Sequence, residues 1–163
     1  MRTALPTPTF DPDQVAEAEG IDVTYWGELP SLGLYLRVGG QGFIALHREL
    51  QQDKGLRRVV LAHELGHHML HVGVFAERFA CGPKQYWATL RTSHVEMQAE
   101  RWAAERLVPV TLIHEMCMRC CQIGPEQITE LAELTDVPES FLTWWLEDLR
   151  DRGVLGVSSS PHG

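Results

Sequence analysis

At 163 residues with 44% hydrophobic content, the chain suffices for one domain with a sizeable buried core, and no apolar run reaches the length that spans a bilayer. Its 14 basic residues against 22 acidic ones give a net charge of −8, which argues against a protein that grips nucleic-acid phosphates. Four unevenly clustered cysteines, Cys81, Cys117, Cys120 and Cys121, give no disulfide framework of a small secreted domain.

Residues 1–12 are rich in Pro and Thr and read as a flexible N-terminal arm. The stretch Met1 to Pro8 lacks the apolar core of a signal peptide, so a cytoplasmic location is expected. Asp13 to Gly20 reads as a short helix. Ile21 to Tyr25, Leu34 to Val38 and Phe43 to Leu46 read as strands, the last two joined as a hairpin through Gly39-Gly40-Gln41-Gly42.

The segment from Arg58 to His71 carries an H-E-x-x-H motif, His63-Glu64-Leu65-Gly66-His67, inside an apolar run. On an α-helix His63 and His67 differ by about 40° in azimuth and roughly 6 Å in rise, so two imidazoles can converge on one cation. Glu64 lies on the neighbouring flank, where it could take a proton from a water at that cation. Val59, Val60, Leu61, Leu65, Met69 and Leu70 make this helix apolar on nearly every side, as in a central buried helix. Buried unpaired polar groups are expensive, and a cation would satisfy both histidines and the glutamate. His71 lies about 12 Å along the axis from His63, too far to share the ion, and is expected to meet the last helix carbonyls, with Gly73 as cap. His68 points away from the His63 and His67 face. Position 73 is glycine where a three-histidine metzincin pattern would place its third ligand, which excludes that arrangement.

The segment Ala80 to Ser93 contains Gly82-Pro83 with Tyr86, Trp87, Arg91 and Thr92, and reads either as a lid over the cleft or as a passive loop. Tyr86, Arg91 or His94 could stabilise an oxyanion, and the sequence does not choose among them. The following helix, from Val95 to Leu107, places Glu96 and Glu100 on one face with Ala99 and Ala103, small residues that allow close approach to a second helix. Glu96 could be the third metal ligand while Glu100 accepts the second N–H of a ligand histidine. Ser93-x-x-Glu96 is also a capping box, and His94 is the next candidate ligand. His114, Cys117 and Cys121 could share a helical face and form a second metal site with Cys81, against buried thiols as the default.

Beyond Gly124, Pro125 to Thr135 and Glu139 to Arg152 read as two helices joined by Asp136-Val137-Pro138, similar to a helix-turn-helix. Eight acidic residues against two basic ones between Pro125 and Arg152 argue against DNA as its partner. Of the adjacent Trp144 and Trp145, at least one is expected in the core. The reading divides the chain into residues 1–12, 13–122, 123–155 and a disordered tail at 156–163. The fold class is α+β: a small antiparallel sheet packed on the metal helix, followed by the helical C-terminal part.

The helix "RRVVLAHELGHHMLH" followed by "VEMQAERWAAERLVP" resembles the ImmA/IrrE family of zinc metallopeptidases, and the likeness extends from "GIDVTYWGELPSLGLYL" to the helical C-terminal part. The resemblance implies a zincin-like core, His63, His67 and Glu96 as zinc ligands, manganese as a possible substitute in vitro, and Glu64 as general base. Two departures stand out: Glu100 where the family usually has Asn, and Trp102 where it usually has Phe. The resemblance also implies an endopeptidase with a narrow protein substrate, a helix-turn-helix repressor, whose cleavage releases genes of a mobile element or a stress response. By the same analogy the strand Phe43-Ile44-Ala45-Leu46-His47 is expected to be an edge strand that pairs with an extended substrate. A non-hydrolytic regulator that binds a repressor or DNA through the C-terminal helices is the alternative.

Overall fold

The computed structural model describes residues 5–6, 8–70, 79–80, 94–120 and 122–155. In chain order the elements are α1 (Pro12–Ala18), β1 (Asp22–Trp26), β2 (Gly33–Val38), β3 (Gln41–His47), a 3-10 turn (Arg48–Gln52), α2 (Lys54–Leu70), β4 (Phe79–Ala80), α3 (His94–Leu107), α4 (Val110–Cys120), α5 (Pro125–Thr135) and α6 (Glu139–Asp151). The fold is therefore α+β, as the sequence indicates.

Pairing of Val38 with Gln41 leaves Gly39 and Gly40 as a two-residue hairpin loop with φ of 58° and 89°, a backbone that residues with a Cβ rarely adopt. The hairpin is antiparallel as expected, but the sheet as a whole is mixed. β1 runs parallel to β3, and the strand order is β1-β3-β2-β4. The reason lies in burial: β3 carries Ile44 and Leu46, which expose nothing, and it takes a central position. Residues 27–32 carry the chain past that position to β2, and the hairpin returns β3 into it.

One face of the sheet packs on α2, which is the central helix of the fold. Leu56 and every residue from Val59 to His68 are buried, and Val59, Leu61, Ala62 and Leu65 expose nothing. The opposite face carries a small satellite cluster of Leu29, Leu34 and Ala45. Helices α5 and α6 complete the core: Leu131, Phe141, Leu142 and Trp145 join the same apolar cluster as Leu61 and Leu107. Between them Asp136 takes a left-handed conformation (φ 53°), Val137 donates its N–H to the Ala132 carbonyl at 3.1 Å, and Pro138 caps α6. No described helix is long and apolar enough to cross a membrane.

The N-terminal helix is tied to α2 by a bidentate ion pair, Arg57 donating to both oxygens of Asp13 at 2.6 and 2.7 Å. The guanidinium holds the Asp13 carboxyl below its ordinary value of 3.8, against the opposing effect of partial burial. A depressed folded-state value means that the pair stabilises the fold above pH 3.8 and is lost as pH falls through the folded-state value. Asp13 is half exposed, so Asp13→Asn is expected to cost no more than about 1 kcal/mol at pH 7. The gap between parent and variant in urea unfolding should shrink as the pH is taken below 3.8.

Candidate metal centre

Where α2 crosses α3, the backbones touch at one glycine. A Cβ on Gly66 would stand 2.8 Å from the carbonyl oxygen of Ala99 and 3.0 Å from its Cα, closer than any side chain permits. Gly66 sits within the turn that separates His63 from His67, and Ala99 lies between Glu96 and Glu100. The close approach of two small residues thus brings two histidines and two glutamates together from segments more than thirty positions apart in sequence.

The Nε2 atoms of His63 and His67 face each other at 3.0 Å, with the rings nearly perpendicular. Glu96 completes the triangle, one carboxylate oxygen 3.1 Å from His63 Nε2 and the other 3.4 Å from His67 Nε2. On the far side of the first ring, Nδ1 of His63 lies 2.6 Å from Glu100 Oε2. His63, His67 and Glu100 are buried, and only Glu96, with its side chain 18% exposed, reaches toward solvent. Burial penalises the charged form of Glu96, but hydrogen bonds and charge from the two imidazoles outweigh it and hold the carboxyl well below the usual carboxylate range. Burial pushes the Glu100 carboxyl up, with His63 pulling the other way.

These groups suit a divalent cation. Two imidazole nitrogens and one carboxylate oxygen lie within 4.8 Å of one another, each able to offer one ligand atom. Mixed nitrogen and oxygen donors in threes, with room for a fourth ligand, are the donor set of catalytic zinc. A cation there would also offset the charge of the Glu96 and Glu100 carboxylates beside the two imidazoles.

Glu64 is fully buried on the side of α2 that meets the sheet. A Cβ on Gly33 would fall 2.5 Å from Glu64 Oε1 and 2.7 Å from Val60 Cγ1, so the first residue of β2 must be glycine for the strand to pass over this carboxylate. Ser31 fixes that backbone by donating its hydroxyl to the Gly33 carbonyl at 2.7 Å. Gly33, Gly66 and Ser31 shape the site without carrying chemistry. Only Gly66 had a local signal, a glycine one position before a motif histidine in a helix interior where glycine is unfavourable.

The remaining predicted positions scatter. The strand Phe43, Ile44, Ala45, Leu46 and His47 is not an edge: β1 pairs with all five residues on one side, and on the other β2 pairs with Phe43 to Leu46 while His47 donates its N–H to the Leu32 carbonyl, so its main chain has no free edge for an added peptide. That expectation is corrected. His94 is the exposed first residue of α3 and does not belong to the donor cluster. Tyr86 and Arg91, with all of the expected lid beyond Ala80, lie outside the described residues, as do Ser93, His71, Gly73, Cys81 and Cys121. Cys117 is half-buried and Cys120 exposed, both free thiols. His68 faces the sheet, its Nδ1 2.8 Å from the Tyr35 hydroxyl.

The α2–α3 contact sets up a prediction in which two effects compete. Alanine at position 66 would gain about 1 kcal/mol of helix propensity, but its methyl would meet backbone atoms that cannot move aside, an overpacking cost of about 1–3 kcal/mol. Gly66→Ala is therefore expected to unfold at lower urea than the parent, and to bind zinc more weakly because the helices are forced apart.

A family model for M78 peptidases, described as the IrrE N-terminal-like domain, matches residues 16–142. A search among curated proteins found no match.

Proposed function

The chain belongs to the M78 peptidase family, with an IrrE N-terminal-like domain, and we propose that it is a zinc-dependent endopeptidase that hydrolyses a specific intracellular protein. The observation that carries this reading is the triangle of His63 Nε2, His67 Nε2 and a Glu96 oxygen, formed by the motif helix and the helix after it. Zinc held by these three residues would supply Lewis acidity to the scissile carbonyl and lower the pKa of the attacking water.

The chain's own residues supply the rest. Glu64 is the general base: it takes the proton of the attacking water and returns it to the leaving amine. Glu100 accepts the Nδ1–H of His63, which fixes the tautomer and puts the ring's lone pair on Nε2, the atom that would bind the metal. The contact at Gly66 keeps the imidazoles and the carboxylate in register, and the Gly33 backbone packs against Glu64 and excludes water from that side.

The substrate we assign is a helix-turn-helix repressor in the cytoplasm, cleaved to release mobile-element or stress-response genes. Family resemblance supports it, and an acidic enzyme with a net charge of −8 suits a basic DNA-binding substrate. The same charge speaks against the alternative of direct DNA binding by the helix-turn-helix-like pair α5–α6. The test is incubation of the purified protein with zinc or manganese and a helix-turn-helix repressor from the same genome, followed by mass spectrometry. Two fragments from one cut are expected, and an intact repressor at full metal occupancy would overturn the assignment.

A further inference from the structure

The side of α3 turned away from the metal centre is held by α6. Arg101 donates to both oxygens of Asp148 from Nη2 and Nε, at 2.6, 3.0 and 3.1 Å, and the Asp148 side chain is only 9% exposed. One turn earlier on α6, the buried Trp145 donates its indole N–H to the carbonyl of Val108, just past the end of α3, at 3.0 Å. Arg101 and Val108 are two turns apart and share a side of α3. That side lies roughly 150° round the helix from Glu96, Ala99, Glu100 and Ala103, which face α2.

The two contacts constrain different things. Gly66 against Ala99 sets how close α3 comes to α2, and on that same side the Glu100–His63 contact and the buried Ala103 also limit rotation about the α3 axis. Ties on the opposite side limit it further. Side-chain tips lie about 5–6 Å from a helix axis, so a rotation of about 10° would carry the Glu96 carboxylate roughly 1 Å. Metal–ligand distances tolerate about 0.2 Å. Both α6 residues lie beyond the segment shared with the family.

We infer that Asp148 and Trp145 are positioning residues for the metal centre: through Arg101 and Val108 they fix the rotation of α3, and with it the reach of Glu96. The inference rests on the metal-centre reading above and adds a dependence on α6 that an ion pair serving stability alone would not have.

The test uses Co2+ as the probe on the full chain, measuring affinity and the visible d–d spectrum well below each variant's unfolding temperature. Asp148→Ala is expected to weaken Co2+ binding about tenfold and to change the d–d intensities, with Asp148→Glu recovering part of both. Asp13→Asn, which removes the more exposed bidentate ion pair between α1 and α2, should leave affinity and spectrum at parent values. If Asp148→Ala unfolds more easily but binds Co2+ with the parent affinity and spectrum, the ion pair is merely structural and the inference falls. Should that variant fail to fold, Arg101→Lys, which keeps the charge and loses the bidentate geometry, decides by the same readouts. A parent that binds no Co2+ overturns the metal-centre reading itself, whereas a binding parent with unaffected α6 variants overturns only this inference.

Discussion

Glu64→Gln is expected to lower hydrolysis of the repressor by about 10²–10⁴-fold, the range of a positioned general base, while zinc content stays at the parent level. Glutamine has nearly the same shape as glutamate, so it fits beneath Gly33 where the space around Oε1 is already filled. It cannot take the proton. Glu64 is also outside the donor triangle, so the metal should not notice the change. Fragment yield and zinc content measured on the same preparations check this result. If parent and variant relieve repression equally in cells, hydrolysis is irrelevant to the protein's role and the non-hydrolytic alternative takes its place.

Glu96→Ala is expected to lose the metal. Substitutions of groups that only support a ligand cost about 10–100-fold in metal affinity, and Glu96 is placed to bind directly, so its loss should exceed that range. The consequence extends to stability. Zinc at one hundred times its dissociation constant would stabilise the parent by about 2.7 kcal/mol, and that stabilisation should be absent from the variant. Two buried histidines 3.0 Å apart would then face each other without the carboxylate that now holds them. Thermal unfolding with and without zinc reads the effect: a rise in midpoint for the parent and none for Glu96→Ala. An equal rise in both would return Glu96 to the capping role that Ser93-x-x-Glu96 also allows.

The legible parts of this molecule are those written in local periodicity. The metal helix announces itself because two histidines and a glutamate at helical spacing interrupt an apolar run, and α2 is indeed the buried centre of the fold. The α5–α6 pair was delimited to within a residue, because Pro125 and Pro138 punctuate it. The hairpin followed from Gly39-Gly40. Strand order was not legible. Nothing within β3 says that β1 will pair with it in parallel, and the edge position assigned to Phe43–His47 failed for that reason. The contacts that shape the site, Gly66 on Ala99, Gly33 over Glu64 and Arg101 on Asp148, join segments 31 to 47 positions apart. Each is a tertiary distance, which residue spacing along one element does not encode. Glu100 is an intermediate case: its place on the Glu96 face was readable, but its full burial follows from the packing of α3 against α2.

In the function proposed above, His63, His67 and Glu96 grip one divalent ion. Anomalous diffraction at the zinc absorption edge, on crystals grown with excess zinc, tests it most directly. One peak is expected, with Nε2 of both histidines at about 2.0–2.1 Å and a Glu96 oxygen at about 2.0–2.2 Å. A map with no peak there, or a peak bound by the histidines with the Glu96 carboxylate turned away, would contradict the account.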